Sequence, residues 1–172
     1  VYGPVIDAVS GWAVVEPQRW SEVAPVRTGR IIDVLFNEGV RVDAGVPLAR
    51  MDDSDLRAQL AEASSDVAFR QGAWDQTGKL LAEGKDDQQH YDALGKDLAQ
   101  ALSRQKMLEE QIRQMTIVAP INGMILWRDA APGDVRQSGQ TIFWIGEPKP
   151  LRLNAEIEDQ DIPRIRNGQR VL

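Results

Sequence analysis

The stretch IVAPINGMILW, Ile117–Trp127, repeats a phrase that occurs earlier in the chain as VAPVRTGRI, Val23–Ile31. The glycines that punctuate the two copies keep one register, with a constant offset of 94 positions. They are Gly29, Gly39 and Gly45 in the first copy and Gly123, Gly133 and Gly139 in the second. A shared register over three glycine pairs indicates two related half-motifs separated by an insertion.

Each half-motif has the composition of short β-strands joined by tight turns. The segments RIIDVLF, GMILW and TIFWI are rich in β-branched, aliphatic and aromatic residues. The glycines between them suit turns that require positive φ. Apolar positions keep the same offset: Ile31 with Ile125, Leu48 with Ile142, and Met51 with Ile145. We therefore expect residues 23–52 and 116–147 to form one β-sandwich, although two unrelated hairpins are the alternative.

Three aromatic residues of the second half-motif are expected to join the sandwich core: Trp127, Phe143 and Trp144. They stand among apolar neighbours in segments with strand composition. Trp12 and Trp20 precede the first half-motif, and we expect them to pack where it meets the preceding segment.

The inserted segment, residues 53–115, has no proline and is dominated by helix-forming residues. Apolar residues recur in two heptad seams, which predicts two helices, 53–83 and 87–115, joined by a short turn into an antiparallel hairpin. Gly84 suits the end of the first helix, and Asp86 or Asp87 the N-cap of the second. Asp53 or Ser54 can cap the first helix. The predicted layers are Leu56–Met115, Leu60–Ile112, Ala63–Leu108, Val67–Gln105, Arg70–Ala101, Trp74–Leu98, Thr77–Leu94 and Leu81–Tyr91.

This hairpin has little core of its own. Its middle layers contain small or polar residues, and Gly72, Gly78 and Gly95 each cost about 1 kcal/mol relative to alanine. By the seam pattern Leu81 points inward against Tyr91, whereas Leu80 lies off the seam and is expected to face solvent. We expect the hairpin to depend on packing against neighbours.

Composition argues against several functional classes. The net charge is −6, which disfavours a nucleic-acid partner, and there is no cysteine. With His90 as the single histidine, nucleophilic triads and metal sites have few candidates, so we expect no enzyme, no metal and no cofactor. Helix capping explains the acidic clusters around Asp53 and Asp87. No apolar run approaches the roughly 18 residues of a membrane span, and we place any targeting segment or anchor outside this chain.

The half-motifs with VAP…G.I, EG…AG and G…SG, split by an antiparallel coiled coil, resemble the periplasmic adaptors of tripartite efflux pumps, the HlyD-type membrane fusion proteins. The resemblance implies an α+β fold: a lipoyl- or biotinyl-like β-sandwich split by the hairpin, with partial β-barrel segments at both termini. The implied division is 1–19 for a barrel strand or linker, 20–52 for the first lipoyl-like half, 53–115 for the hairpin, 116–150 for the second half, and 151–172 for an incomplete barrel domain.

The resemblance also implies a function without catalysis. Such an adaptor links an inner-membrane transporter, at the barrel end, to an outer-membrane channel, at the hairpin tip, and self-associates into a ring, by resemblance a hexamer. It implies a periplasmic location with an inner-membrane anchor that this chain lacks. An adaptor of an ABC-type or type I secretion exporter is an alternative, as is a structural coiled-coil protein. A lipoyl-type carrier is disfavoured because the sequences joining the halves contain no lysine.

The hairpin tip carries the partner-binding residues that the resemblance implies. In adaptors of the resistance-nodulation-division (RND) class an Arg, a Leu and a Ser around the turn engage the channel. The Leu falls here on Leu80 or Leu81, the Ser on Asp87 and the Arg on Gln76. The expected contact residues are Lys79, Leu80, Leu81, Gly84, Lys85 and Asp87.

Overall fold

A computed structural model describes residues 11–147, 149–159 and 161–168. The expected barrel segments at 1–19 and 151–172 lie in part outside these residues. Within them the elements are, in chain order, β1 (Trp12–Pro17), β2 (Trp20–Val23), β3 (Gly29–Val34), β4 (Arg41–Val42), β5 (Pro47–Met51), α1 (Ser54–Ala82), α2 (Gln88–Arg113), β6 (Thr116–Val118), β7 (Gly123–Arg128), β8 (Val135–Arg136), β9 (Phe143–Gly146), β10 (Leu151–Glu156) and a 3-10 turn (Ile162–Arg164).

The strands of the two half-motifs interlock in one β-sandwich. One antiparallel sheet has the order β2-β9-β7-β4 and the other the order β6-β5-β3-β8. Each sheet therefore takes two strands from the first half-motif and two from the second. The α+β fold is confirmed, with the hairpin inserted between β5 and β6 and a separate two-stranded ribbon, β1-β10, at the chain ends.

The repeated glycines are equivalent in space as well as in sequence. Gly39 donates its N–H to the carbonyl of Ile125 (2.8 Å), and Gly133 donates to the carbonyl of Ile31 (2.7 Å). The two hydrogen bonds are equivalent, because Gly133 lies 94 positions after Gly39 and Ile125 lies 94 positions after Ile31. Both glycines have positive φ, +83° and +96°, a conformation that costs glycine little. The same offset relates a second pair of hydrogen bonds, in which Gly45 donates its N–H to the carbonyl of Ala119 and Gly139 donates to the carbonyl of Pro25. The half-motifs are thus related by an internal pseudo-two-fold axis.

The aligned apolar positions form the centre of the sandwich. All six are at most 1% exposed: Ile31, Leu48, Met51, Ile125, Ile142 and Ile145. Phe143 is fully buried as expected, but Trp127 is half-buried and Trp144 is 41% exposed. The expectation that Trp144 belongs to the core was wrong, because side chains alternate along a strand and both its neighbours in β9 point inward.

The core continues from the sandwich into the base of the hairpin. Met51 donates its N–H to the carbonyl of Met115 (2.8 Å), which closes the base where β5 and β6 pair. Leu56 and Leu108 belong to the same buried cluster as the sandwich residues. Every residue of the two predicted seams is buried or half-buried. The hairpin is therefore anchored at one end, and its far half depends on the contact between α1 and α2.

The aromatic contacts of the hairpin lie one turn away from the predicted layers. The seam pattern places Tyr91 opposite Leu81. In the structure its ring packs against Gly78 and stacks on Trp74 with a centroid distance of 5.1 Å. Trp74 in turn lies over Gly95. Since glycine has no Cβ, each one leaves room for a ring on the facing helix. Side-chain size at these positions, which the heptad pattern does not include, explains the difference.

These glycines give a stability prediction with an internal control. Gly72 has no neighbour within 4 Å of an added Cβ, so Gly72→Ala should raise the free energy of unfolding by about 1 kcal/mol through helix propensity. At Gly95 the added Cβ would lie 3.1 Å from Nε1 of Trp74, and at Gly78 3.1 Å from the ring of Tyr91. The free energies of unfolding of Gly95→Ala and Gly78→Ala, measured by urea denaturation, should be at least about 1 kcal/mol lower than that of Gly72→Ala. Equal gains at all three sites would contradict the packing.

The terminal ribbon pairs Trp12 with Glu156 and Pro17 with Leu151. Both of its faces are open, and Trp12 is 90% exposed. Trp20 packs beside Trp144 on the sandwich. The expectation that Trp12 packs at this junction was wrong, because Trp12 lies on an open face of the ribbon. Among the described residues neither long helix is apolar enough over a sufficient length to cross a membrane.

Candidate functional site at the hairpin tip

The first helix ends at the tip in a Schellman motif. Glu83 is the C-cap, and Gly84 follows with φ +71°. Gly84 donates its N–H to the carbonyl of Leu81 (3.0 Å), and Lys85 donates to the carbonyl of Leu80 (2.8 Å). These two bonds satisfy carbonyls that the helix end would otherwise leave unpaired. Gly84 therefore lies one position beyond the C-cap, and its left-handed conformation turns the chain toward α2.

The second helix begins with an aspartate cap, as the sequence indicated. The Asp87 carboxylate accepts the N–H of His90 at 2.7 Å. Asp86 accepts the N–H of Asp87 at 2.8 Å, and its carboxylate lies 3.0 Å from Nδ1 of His90. Both hydrogen bonds lower the pKa of Asp86, and the one from the Asp87 N–H has the larger effect. Because folding lowers this pKa, the contact stabilises the turn above the ordinary titration range of aspartate and is lost as the pH falls through the lowered value.

The predicted contact residues are brought together around this turn, but the two leucines are not distinguished as expected. Leu80 and Leu81 are both half-buried, so the prediction that Leu80 lies exposed to solvent was wrong. The turn folds back over this end of α1, since Lys85 donates its N–H to the carbonyl of Leu80. Lys79 is exposed, and Lys85 is exposed while its Nζ lies 2.7 Å from a Glu83 carboxylate oxygen.

The residues around the turn are mostly exposed. One cavity of the described residues lies on the sandwich, and another lies where the sandwich meets the base of α1. No group of three or more histidine, cysteine, aspartate or glutamate residues suited to a metal ion occurs in the part of the chain that the structure describes. Behind the turn, the stacked Trp74 and Tyr91 and the buried Thr77 stiffen the last turns of the hairpin. An exposed, stiffened turn of this kind is suited to contact with a partner protein.

Sequence reasoning missed two features that the structure brings together. One is the pairing of aromatic rings with glycines behind the tip. The other is a row of tryptophans on the outside of the sandwich, where Trp144 lies between Trp20 and Trp127. Strict alternation in FWIG, with Phe143 and Ile145 inward, would have placed Trp144 outside.

A β-sandwich built from two interlocked half-motifs and interrupted by a helical hairpin defines the class of barrel-sandwich hybrid domains. The family model described as RND MFP, barrel-sandwich hybrid domain, matches residues 19–146. The chain belongs to this family of membrane fusion proteins, which confirms the resemblance that the sequence indicated.

Curated relatives carry names of the same kind. The antibiotic efflux pump periplasmic linker protein ArpA of Pseudomonas putida is 29% identical over 123 residues, covering 72% of this chain and 33% of the relative. The multidrug/solvent efflux pump periplasmic linker protein MepA of the same species is also 29% identical, over 72% of this chain and 32% of the relative. The chain thus spans about a third of the length of these relatives.

Solved structures share the fold. A MacA-MexA chimeric protein containing the Pseudomonas aeruginosa MexA α-hairpin domain matches with a TM-score of 0.77 and 22% identity, over 90% of this chain and 59% of that one. A putative efflux transporter from Bacteroides eggerthii matches with a TM-score of 0.69 and 20% identity, over 95% and 52% of the two chains.

Proposed function

We propose that this chain is the central part of a periplasmic adaptor that links an inner-membrane transporter to an outer-membrane channel in a tripartite efflux pump. One observation carries the proposal: a hairpin anchored in a sandwich of the RND membrane fusion protein family, ending in a turn that is capped on both sides. The names of the Pseudomonas relatives support the role and the periplasmic location. The family match favours an RND-type transporter over an ABC-type or type I secretion exporter.

In this proposal the hairpin tip docks on the outer-membrane channel. The hairpin contains helices of 29 and 26 residues, so at about 1.5 Å per residue its tip lies roughly 40 Å from the sandwich. Leu80 supplies the apolar contact, and Lys79, Lys85 and Asp87 form its polar rim, while Leu81 and Gly84 hold the shape of the turn. Caps on both sides of the turn support this role, because they preorganise the surface before a partner arrives.

The opposite end of the molecule has the complementary role. The hairpin leaves the sandwich beside the β5–β6 pair, and the terminal ribbon joins beside the β2–β9 pair, which is its pseudo-symmetric equivalent. We assign 151–172, together with residues 1–19, to the start of a barrel domain that faces the inner-membrane transporter.

Several copies then assemble side by side into a ring, by resemblance a hexamer, which encloses the exported substrate. The role is mechanical and requires no catalysis and no cofactor. Neighbouring hairpins in such a ring supply burial that a single hairpin lacks, because Phe69 (77% exposed), Leu102 (46%) and Met107 (52%) lie on its outer surface.

Leu80→Asp tests the docking role of the tip. A charge placed in the apolar part of the contact should abolish export in cells, while the half-buried position limits the loss of stability to about 1–2 kcal/mol. The measurements are substrate accumulation in cells and thermal unfolding of the purified protein.

Ala68→Asp is the control, since Ala68 lies in α1, the helix that contains Leu80, but away from the tip, and its side chain is exposed. Export should be retained in this control. Normal export by Leu80→Asp would show that the tip is only a turn.

A further inference from the structure

A row of three tryptophans crosses the outside of one sheet. They lie on adjacent strands: Trp20 on β2, Trp144 on β9 and Trp127 on β7. The ring centroid of Trp144 is 5.8 Å from that of Trp20 and 5.1 Å from that of Trp127. Trp20 is 43% exposed and Trp144 41%. We call these three residues the tryptophan face. Exposed aromatic side chains in contact with one another are typical of protein interfaces.

The internal symmetry of the sandwich provides a control for this face. An offset of 94 places Arg50, Asp33 and Gln114 at the positions equivalent to Trp144, Trp127 and Trp20. The second sheet has the same strand order, with the polar residues Arg50 and Asp33 on its strands at two of these positions, while Gln114 caps the end of α2. The tryptophans are therefore not required to form a sheet of this architecture, and their partial exposure has another cause.

The equivalent region of the second sheet is concave. A cavity of about 450 Å³ opens where this sheet meets the base of α1, and its lining includes Ile32, Pro47, Arg50, Arg57 and Thr116, which we call the arginine cleft. Ile32 is 52% exposed. Arg50 is exposed and forms no ion pair with any of the described residues, whereas Arg57 is held by Asp53 at 2.8 Å.

We propose that the tryptophan face of one copy of this chain docks in the arginine cleft of the next copy. An arginine guanidinium stacks favourably on the face of a tryptophan ring, and the aliphatic floor of the cleft, Ile32 and Pro47, offers apolar contact. Glu22 lies directly across from Trp144 on the neighbouring strand and is exposed. Its carboxylate provides a charge of the opposite sign for Arg50 of the next copy.

The two surfaces differ, so the contact is heterologous and passes from each copy to the next. A contact of this kind closes into a ring or continues as an open chain, whereas a self-complementary contact stops at a dimer. The inference rests on the ring of the proposed function and deepens it by naming the surfaces through which the copies meet.

An exchange of the two side chains tests the pairing. Trp144→Arg places arginine against arginine and should weaken self-association by about tenfold or more, and Arg50→Trp should also weaken it. The double variant restores an arginine opposite a tryptophan and should recover association to within about threefold. Sedimentation measures association, and Trp12→Arg, which removes an even more exposed tryptophan, is the control. Equal weakening by Trp12→Arg, or a double variant as weak as the single ones, overturns the proposal.

Crosslinking in this cysteine-free chain tests the geometry. Thr141→Cys lies beside Glu22 on the tryptophan face, and Thr116→Cys lies across from Arg50 in the cleft, so both variants keep Trp144 and Arg50 in place. Combined in one chain they should give a ladder of multimers with a short bis-maleimide, and each single variant should remain a monomer. Dimers from Thr141→Cys alone would mean that the face meets itself, which overturns the proposal. A thiol that maleimide cannot reach in the monomer would mean that the same protein covers the face, and this also overturns it.

The two proposals fail separately. Normal export in cells without any ladder would overturn this contact and leave the adaptor role standing. If crosslinking gives a complete ladder but the protein supports no export in cells, the proposed contact stands and the proposed adaptor role is contradicted.

Discussion

Ile31→Ala and Ile125→Ala should each lower the free energy of unfolding by about 2–5 kcal/mol, measured by urea denaturation. Both side chains are fully buried at pseudo-symmetric positions of the sandwich. Each sheet contains strands from both half-motifs. A cavity in one half should therefore destabilise the whole sandwich, and fluorescence and circular dichroism should report a single transition for each variant.

Ile32→Ala is the matched control, because Ile32 is the same residue type next to Ile31 but 52% exposed. It should change the stability by no more than about 0.5 kcal/mol. Separate unfolding of one half-motif in either core variant would contradict the interlocked topology.

Replacing residues 54–114 by a short glycine-rich linker should leave a folded β-protein. The chain ends at the base of the hairpin are already adjacent, since Arg50 pairs with Thr116 and Met51 donates to Met115. Closing a short loop in place of a long one has a small entropic effect. Circular dichroism should lose nearly all helical signal and keep the β signal, and a random-coil spectrum would show that the sandwich requires the hairpin.

The excision should nevertheless cost stability, and a second deletion measures how much. Leu56 and Leu108 belong to the sandwich core cluster although they lie in the helices. A variant that replaces only residues 66–105 keeps both leucines. Its free energy of unfolding should exceed that of the full excision by about 2 kcal/mol or more, because burying one leucine contributes roughly 1.5–3 kcal/mol. Equal stability of the two shortened proteins would mean that the base of the hairpin contributes nothing to the core.

Much of the architecture could be predicted because its signals are local or periodic. The 94-residue offset identified the glycines that turn the chain and the six residues at the centre of the core. The heptad pattern identified every seam residue of the hairpin, and the cap at Asp87 followed from a short polar side chain before a helical segment. Burial of one face and satisfaction of helix ends constrain the residue type at each such position.

The candidate site was predicted less completely. The tip residues were expected to lie together, and they do, but the partial burial of Leu80 depends on how the turn after α1 folds back over the end of the helix. The placement of Tyr91 on Gly78 depends on a ring and a missing side chain meeting across two helices. A seam pattern lists which residues face inward on each helix and contains no term for the size of the residue opposite.

The sequence by itself determined that the chain contains two equivalent half-motifs, a helical insertion between them and a capped turn at its end. Only the tertiary structure decided that the half-motifs exchange strands, that Trp144 points outward beside Trp20, and that its pseudo-symmetric counterpart Arg50 lines a cleft. Alternation, capping and helix period act between residues close in the chain. Sheet partners and the shape of an outer face arise between residues far apart in the chain, where packing selects among arrangements that local preference allows equally.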